Sequence, residues 1–96
     1  MAKTLRGKIL ETALNLTEGD RNKSYGPPKK NLECFASLVK AYLSGKSTHD
    51  LTATDASVIM GLAKVSRIAA NPKHAYNYVD LAAYAAIAGE LAQGGS

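Results

Sequence analysis

Apolar positions recur at helical spacing in four stretches of the chain, and one long segment breaks the rhythm. Leu5, Ile9, Ala13 and Leu16 follow one another at intervals of three and four, with Leu10 and Leu14 widening the stripe. That spacing predicts a helix from Leu5 to about Thr17, with Gly19 as its stop. From Gly19 to Asn31 no helical period is visible, and the residues read as a loop. A second helix is expected from about Lys29 to Ser44. Leu32, Phe35, Ala36, Val39 and Leu43 form its apolar face, with Tyr42 at the border. Pro27-Pro28 suits its entry and Gly45 its end.

The third helix has the strongest local start signal. Thr52 is a good N-cap, and Asp55 three residues on makes a capping-box-like arrangement with Asp in place of Glu. Val58, Ile59, Leu62, Ala63, Val65 and Ala69 mark its expected buried face, and Asn71-Pro72 closes it. The fourth, from about Asn77 to Ala92, is apolar nearly all round: Tyr78, Val79, Leu81, Tyr84, Ile87 and Leu91 are interleaved with alanine and Gly89. A helix apolar on every side is expected to be buried on every side. These patterns predict an all-α, compact, four-helix bundle-like single domain over residues 1–96. It has a basic loop at 19–31 and a flexible tail at 93–96. The fourth helix is either central or an oligomer interface, so a homo-oligomer is expected.

Charge is placed unevenly. The net charge is +4, and residues 1–31 hold seven basic and three acidic side chains, against five of each in residues 32–96. A basic first third attracts phosphate, nucleic acid or an acidic protein surface; equally, it serves as a solubilising face. No apolar run approaches the roughly 20 residues needed to span a bilayer, and no secretory signal is visible at the N-terminus. Cys34 is the only cysteine, so no intramolecular disulfide can form, and a reducing, cytoplasmic setting fits.

Candidate chemistry falls in two places. In the basic loop, Arg21, Lys23, Lys29 and Lys30 suit phosphate contacts, and Tyr25, held by Gly26-Pro27, suits stacking on a base or packing on the fold. On the last two helices, Lys64 and Arg67 share a face. Asp80 opens the fourth helix near the expected junction, where it can orient Arg67 toward an anionic ligand or form an ordinary salt bridge with it. The salt bridge carries more weight, because such ion pairs are common without function. His74, in the connecting loop, can contact Asp80 or a ligand. P-loop spacing is absent, and so is any Cys/His spacing for zinc, so neither a cofactor nor a metal is expected. Cys34, beside Phe35, reads as a small buried residue.

Taken together, Gly19-Asp20-Arg21, Tyr25-Gly26-Pro27 with Asn31, Leu51-Thr52 with Asp55, Lys64 with Arg67, His74, Asn77, Val79-Asp80, Tyr84-Ala85-Ala86 and Glu90 resemble a family of small proteins from tailed phages and prophages. The resemblance covers about residues 8 to 91. The family in turn looks distantly like the all-α MazG-type nucleotide pyrophosphohydrolases, which hold magnesium with acidic pairs on two helices. This chain departs from that pattern: Glu33 has no second carboxylate on its helix, and Asn77 stands three residues before Asp80 where an acid is expected. Tyr76 and Ala83 also replace an acidic residue and a glycine of the phage pattern.

The leading expectation is a non-enzymatic phage-type binding protein acting in the host cytoplasm. Its anionic partner is a nucleotide, a nucleic acid or an acidic protein surface, and in the sharpest version it inhibits a host immune complex. The alternatives are a MazG-like nucleotide hydrolase using Asp80, Glu33, Asp55 or Glu90, and an assembly module working through the fourth helix.

Overall fold

The computed structural model describes residues 4–95, without the side chains of Asp20, Arg21 and Asn22. Its elements are α1 (Leu5–Glu18), α2 (Asp20–Tyr25), α3 (Pro28–Ser44), α4 (Ala53–Ala70) and α5 (Ala75–Ala92). The described chain is all-α, as its periodicity predicts. The difference from expectation lies in residues 19–31. Six of them form α2, so the non-helical part shrinks to the joints at Gly19 and Gly26-Pro27. Gly19 acts as a joint between two helices. Its N–H still bonds the carbonyl of Asn15 at 3.0 Å, and its own carbonyl takes the N–H of Lys23 at 3.2 Å. No glycine or proline interrupts Asp20–Tyr25, and the helix ends only where Gly26 turns to a φ of +72°.

The caps explain the remaining boundaries. Thr4 accepts the N–H of Gly7 at the start of α1. At the start of α4 the capping box is complete: Thr52 Oγ1 accepts the Asp55 N–H, and the Asp55 carboxylate accepts the Thr52 N–H at 2.8 Å. Pro28 occupies the first position of α3, where its missing N–H costs nothing.

Helix α4 is the centre. It packs against α5 on one side and α3 on the other, with α2 laid across α3 and α4; α3 and α5 do not meet. Gly61 lets α5 approach closely, since a Cβ there would stand 3.3 Å from Leu81 Cδ1. Ser57 ties the same pair by donating to the Tyr84 carbonyl at 2.8 Å. On α3 the inward face runs through Asn31, Phe35, Leu38 and Tyr42, and it leaves Leu32, Ala36 and Leu43, three of the expected core residues, exposed.

Helix α5 is also not buried all round. Only Asn77 and Ala88 are buried, because α5 packs along α4 alone and meets α2 only where Asn77 bonds Tyr25, while Tyr78, Val79 and Ile87 face outward. Helix α1 touches only α2 and buries none of its residues. The molecule is consequently elongated, 53 × 28 × 25 Å, with a radius of gyration of 16.4 Å.

Candidate functional site

Where α2, α3 and α4 converge, a cleft of about 520 Å³ opens. That is within the range of small-molecule sites, roughly 300–1,000 Å³. Lys23, Ser24, Tyr25, Gly26 and Pro27 form one wall, Lys30, Asn31 and Cys34 another, and Ser66, Ala69 and Ala70 the floor. The ammonium groups of Lys23 and Lys30 are exposed, and no carboxylate among the described residues pairs with either. Asn31 ties α3 to α4 by donating to the Ser66 carbonyl at 3.0 Å. Ser66 is itself buried and donates to the carbonyl of Ala63 at 2.8 Å.

Tyr25 is the hinge of the site. The Asn77 amide, buried on α5, donates to its phenol oxygen at 3.1 Å. The Arg67 guanidinium lies over its ring, 5.5 Å from the centroid, within cation–π range. The His74 ring stands 6.0 Å away, tilted by 40°. The Nδ1 atom of His74 is buried and makes no hydrogen bond among the described residues. One phenol thus collects side chains from α4, from the connecting loop and from α5, and it fixes the wall of the cleft that α2 supplies.

The expected site residues divide accordingly. Lys23, Tyr25 and Lys30 line the cleft, and Arg67 and His74 stand behind Tyr25. Arg21 belongs to α2, and its side chain lies outside the described residues. Lys29 points away and approaches Glu33 at 3.9 Å in an exposed i,i+4 pair. Asp80 does not orient Arg67. It pairs with Lys64 at 3.2 Å across α4 and α5, because Lys64 lies one turn nearer the middle of α4 while Arg67 is drawn to Tyr25. Asn77 and Ser66 are site-forming residues that charge and spacing did not single out. Their signal is weak: a polar side chain on the inward face of an otherwise apolar helix.

A second polar cluster holds the far end. The Asp55 carboxylate accepts from Tyr42 Oη at 2.6 Å, Lys46 Nζ at 2.7 Å and Thr52 Oγ1 at 2.9 Å, in addition to the Thr52 N–H. Bonds from Lys46 and Tyr42 hold this carboxyl well below the usual carboxylate range, and the same contact raises the Tyr42 phenol. Among the described residues, no three of Glu33, Asp55, Asp80 and Glu90 come together as metal ligands would.

Residues 8–92 match the domain of unknown function DUF6378, and the chain belongs to that family. Its curated relatives include the "Gene 55 protein" of Mycobacterium phage D29, 38% identical over 77 residues, which are 80% of this chain and 48% of the relative. The "Gene 55 protein" of Mycobacterium phage L5 is 38% identical over 79 residues, 82% of this chain and 49% of the relative. The chain therefore spans about half the length of these relatives. No solved structure matches it. No helix among the described residues is long and apolar enough to cross a membrane.

Proposed function

We propose that this chain is a phage-type binding protein that engages an anionic, phosphate-bearing partner in the cleft between α2, α3 and α4. The observation that carries the reading is the cleft itself. Two ammonium groups that no carboxylate among the described residues engages, Lys23 and Lys30, stand over a pocket of nucleotide size, beside a tyrosine fixed by Asn77 and Arg67. Ammonium groups recognise phosphate as point charges, and a fixed aromatic ring offers a stacking surface with little entropy left to lose. The partner is a nucleotide or the exposed end of a nucleic acid. In a phage-infected cell such a binder would serve to withhold a phosphate-bearing signal, or to occupy a nucleic-acid-loaded host immune complex.

Binding rather than hydrolysis is favoured by how the carboxylates are used. Asp55 is saturated by Tyr42, Lys46 and Thr52, and Asp80 is paired with Lys64. The test is calorimetric titration with ATP, GTP and a short single-stranded oligonucleotide at 50 and 300 mM salt. Affinity for at least one should fall with salt, as expected for about two phosphate contacts. Lys23→Glu and Lys30→Glu should each weaken it about tenfold, the scale of one charge-assisted hydrogen bond, whereas Lys29→Glu, outside the cleft, should change it much less. Equal effects at all three lysines would point to diffuse charge instead of a site.

A further inference from the structure

The cleft between α2, α3 and α4 is not uniform in its hydrogen-bonding chemistry, and one amide shows how it is divided. Asn31 on α3 donates from Nδ2 to the Ser66 carbonyl at 3.0 Å and to Ser66 Oγ at 3.5 Å. Neither partner allows the amide to turn over. A carbonyl oxygen only accepts, and the Ser66 hydroxyl proton is spent on the Ala63 carbonyl at 2.8 Å. A reversed amide would set oxygen against oxygen twice. Oδ1 of Asn31 is therefore held at the end of the amide turned from Ser66. It accepts no hydrogen bond among the described residues. Nor is it sealed from solvent, since the one buried side-chain nitrogen or oxygen without a partner among them is His74 Nδ1.

The floor adds acceptors of the same kind. Ala69 and Ala70 are exposed in the last turn of α4 and line the cleft together with Asn31. Their carbonyls lie at the end of the helix, where no further turn supplies an N–H. The residues that follow do not supply one either. The N–H of Asn71 goes to the Arg67 carbonyl, that of His74 to the Asn71 carbonyl and that of Lys73 to Asn71 Oδ1, while Pro72 has none. The dipole of α4 adds partial negative charge at this end. From α2 and the first turn of α3 come the ammonium groups of Lys23 and Lys30. The cleft thus joins an anion-binding part to a part that offers acceptors. Free phosphate uses the first and gains nothing from the second. A nucleotide whose base carries an exocyclic amino group uses both.

We propose that Asn31 Oδ1 reads the exocyclic amino group of a base, so that the cleft selects adenine or cytosine nucleotides over those whose base lacks the group at that edge. This rests on the phosphate-binding reading of the same cleft and adds the ligand class to it. In both bases the amino group stands on the edge remote from the sugar. It brings two N–H donors, one for Oδ1 and one for a carbonyl at the end of α4. Guanine and uracil carry a carbonyl oxygen in that place, which would meet Oδ1 oxygen to oxygen. Because Ser66 locks Asn31, the amide has little freedom left to lose and cannot turn to offer those bases a donor.

The experiment is calorimetric titration of the full chain with two probes, ATP and purine riboside triphosphate, which differ only in the exocyclic amino group. Wild type should bind ATP about fivefold tighter, the scale of one neutral hydrogen bond. Asn31→Leu, which keeps the volume and removes the acceptor, should bring the two affinities together. The ratio does not respond to a general weakening from the lost tie to Ser66. Should that variant not fold, the Asn31 side-chain amide signals in the NMR spectrum of wild type decide instead. ATP should shift them and the desamino probe much less, and equal shifts would overturn the proposal. Equal affinities in wild type, both still lowered by Lys23→Glu, would overturn the base reading and leave phosphate binding standing. No binding of either probe would overturn both. A preference for ATP that survives Asn31→Leu would overturn the role of Asn31, by passing the amino group to another acceptor.

Discussion

Asn77 is the residue on which the candidate site turns. Its amide is buried beneath a phenol that comes from 52 positions earlier in the chain. Tyr25→Phe removes the oxygen and leaves that amide without its partner, at an expected cost of about 1–2 kcal/mol. Thermal unfolding checks the cost, and ligand titration on the same variant should show weaker binding, because the cleft wall loses its anchor. Asp55 raises a pH question. Its carboxyl is depressed in the folded state by Lys46 and Tyr42. The folded chain therefore binds fewer protons than the unfolded chain below about pH 4, and stability falls as pH drops from there toward the folded value. The raised phenol of Tyr42 acts in the opposite direction, so its contribution is lost as pH rises above about 10. Melting temperature followed from pH 6 down to 2 should show the acid limb in wild type and a flatter one in Asp55→Asn. Thr52→Ala, which deletes the cap and the Thr52 hydroxyl's bond to the Asp55 carboxylate, should cost about 1 kcal/mol at neutral pH.

Among the elements, the α4–α5 pair carries most of the packing, and Gly61 sets how near the two helices come. Gly61→Leu would drive a side chain into Leu81 and Tyr84 and should cost about 1–3 kcal/mol, measured by chemical denaturation. The four long helices were legible because each combines a helical period with its own stop signals, and Thr52 with Asp55 announced a cap that the structure completes. Helix α2 was not legible. Six residues of ordinary propensity between two glycines carry no period, and only the hydrogen bonds around Gly19 show the chain winding on through them. The cleft was half legible. Lys23, Tyr25 and Lys30 stand out by charge and by neighbouring glycine and proline, but the pairings of Tyr25 with Asn77 and of Asn31 with Ser66 exist only once α2, α3, α4 and α5 have packed. Asp80 shows the same limit: its helix was foreseeable, its choice of Lys64 over Arg67 was not.

At the scale of the whole molecule, elongation is measurable. Small-angle scattering of the monomeric chain should return a radius of gyration near 16.4 Å, and a value near the roughly 12.5 Å of a compact chain of this length would mean that α1 folds back onto the other helices. The scarcity of buried hydrocarbon, with Ala88 the one buried apolar side chain among the described residues, has a thermal consequence as well. Heat capacity increases on unfolding in proportion to the apolar surface newly wetted. A lone chain that hides so little should gain well under the usual 12–15 cal/mol/K per residue, so its stability curve should be shallow, with melting spread over a wide temperature range and little loss of stability on cooling.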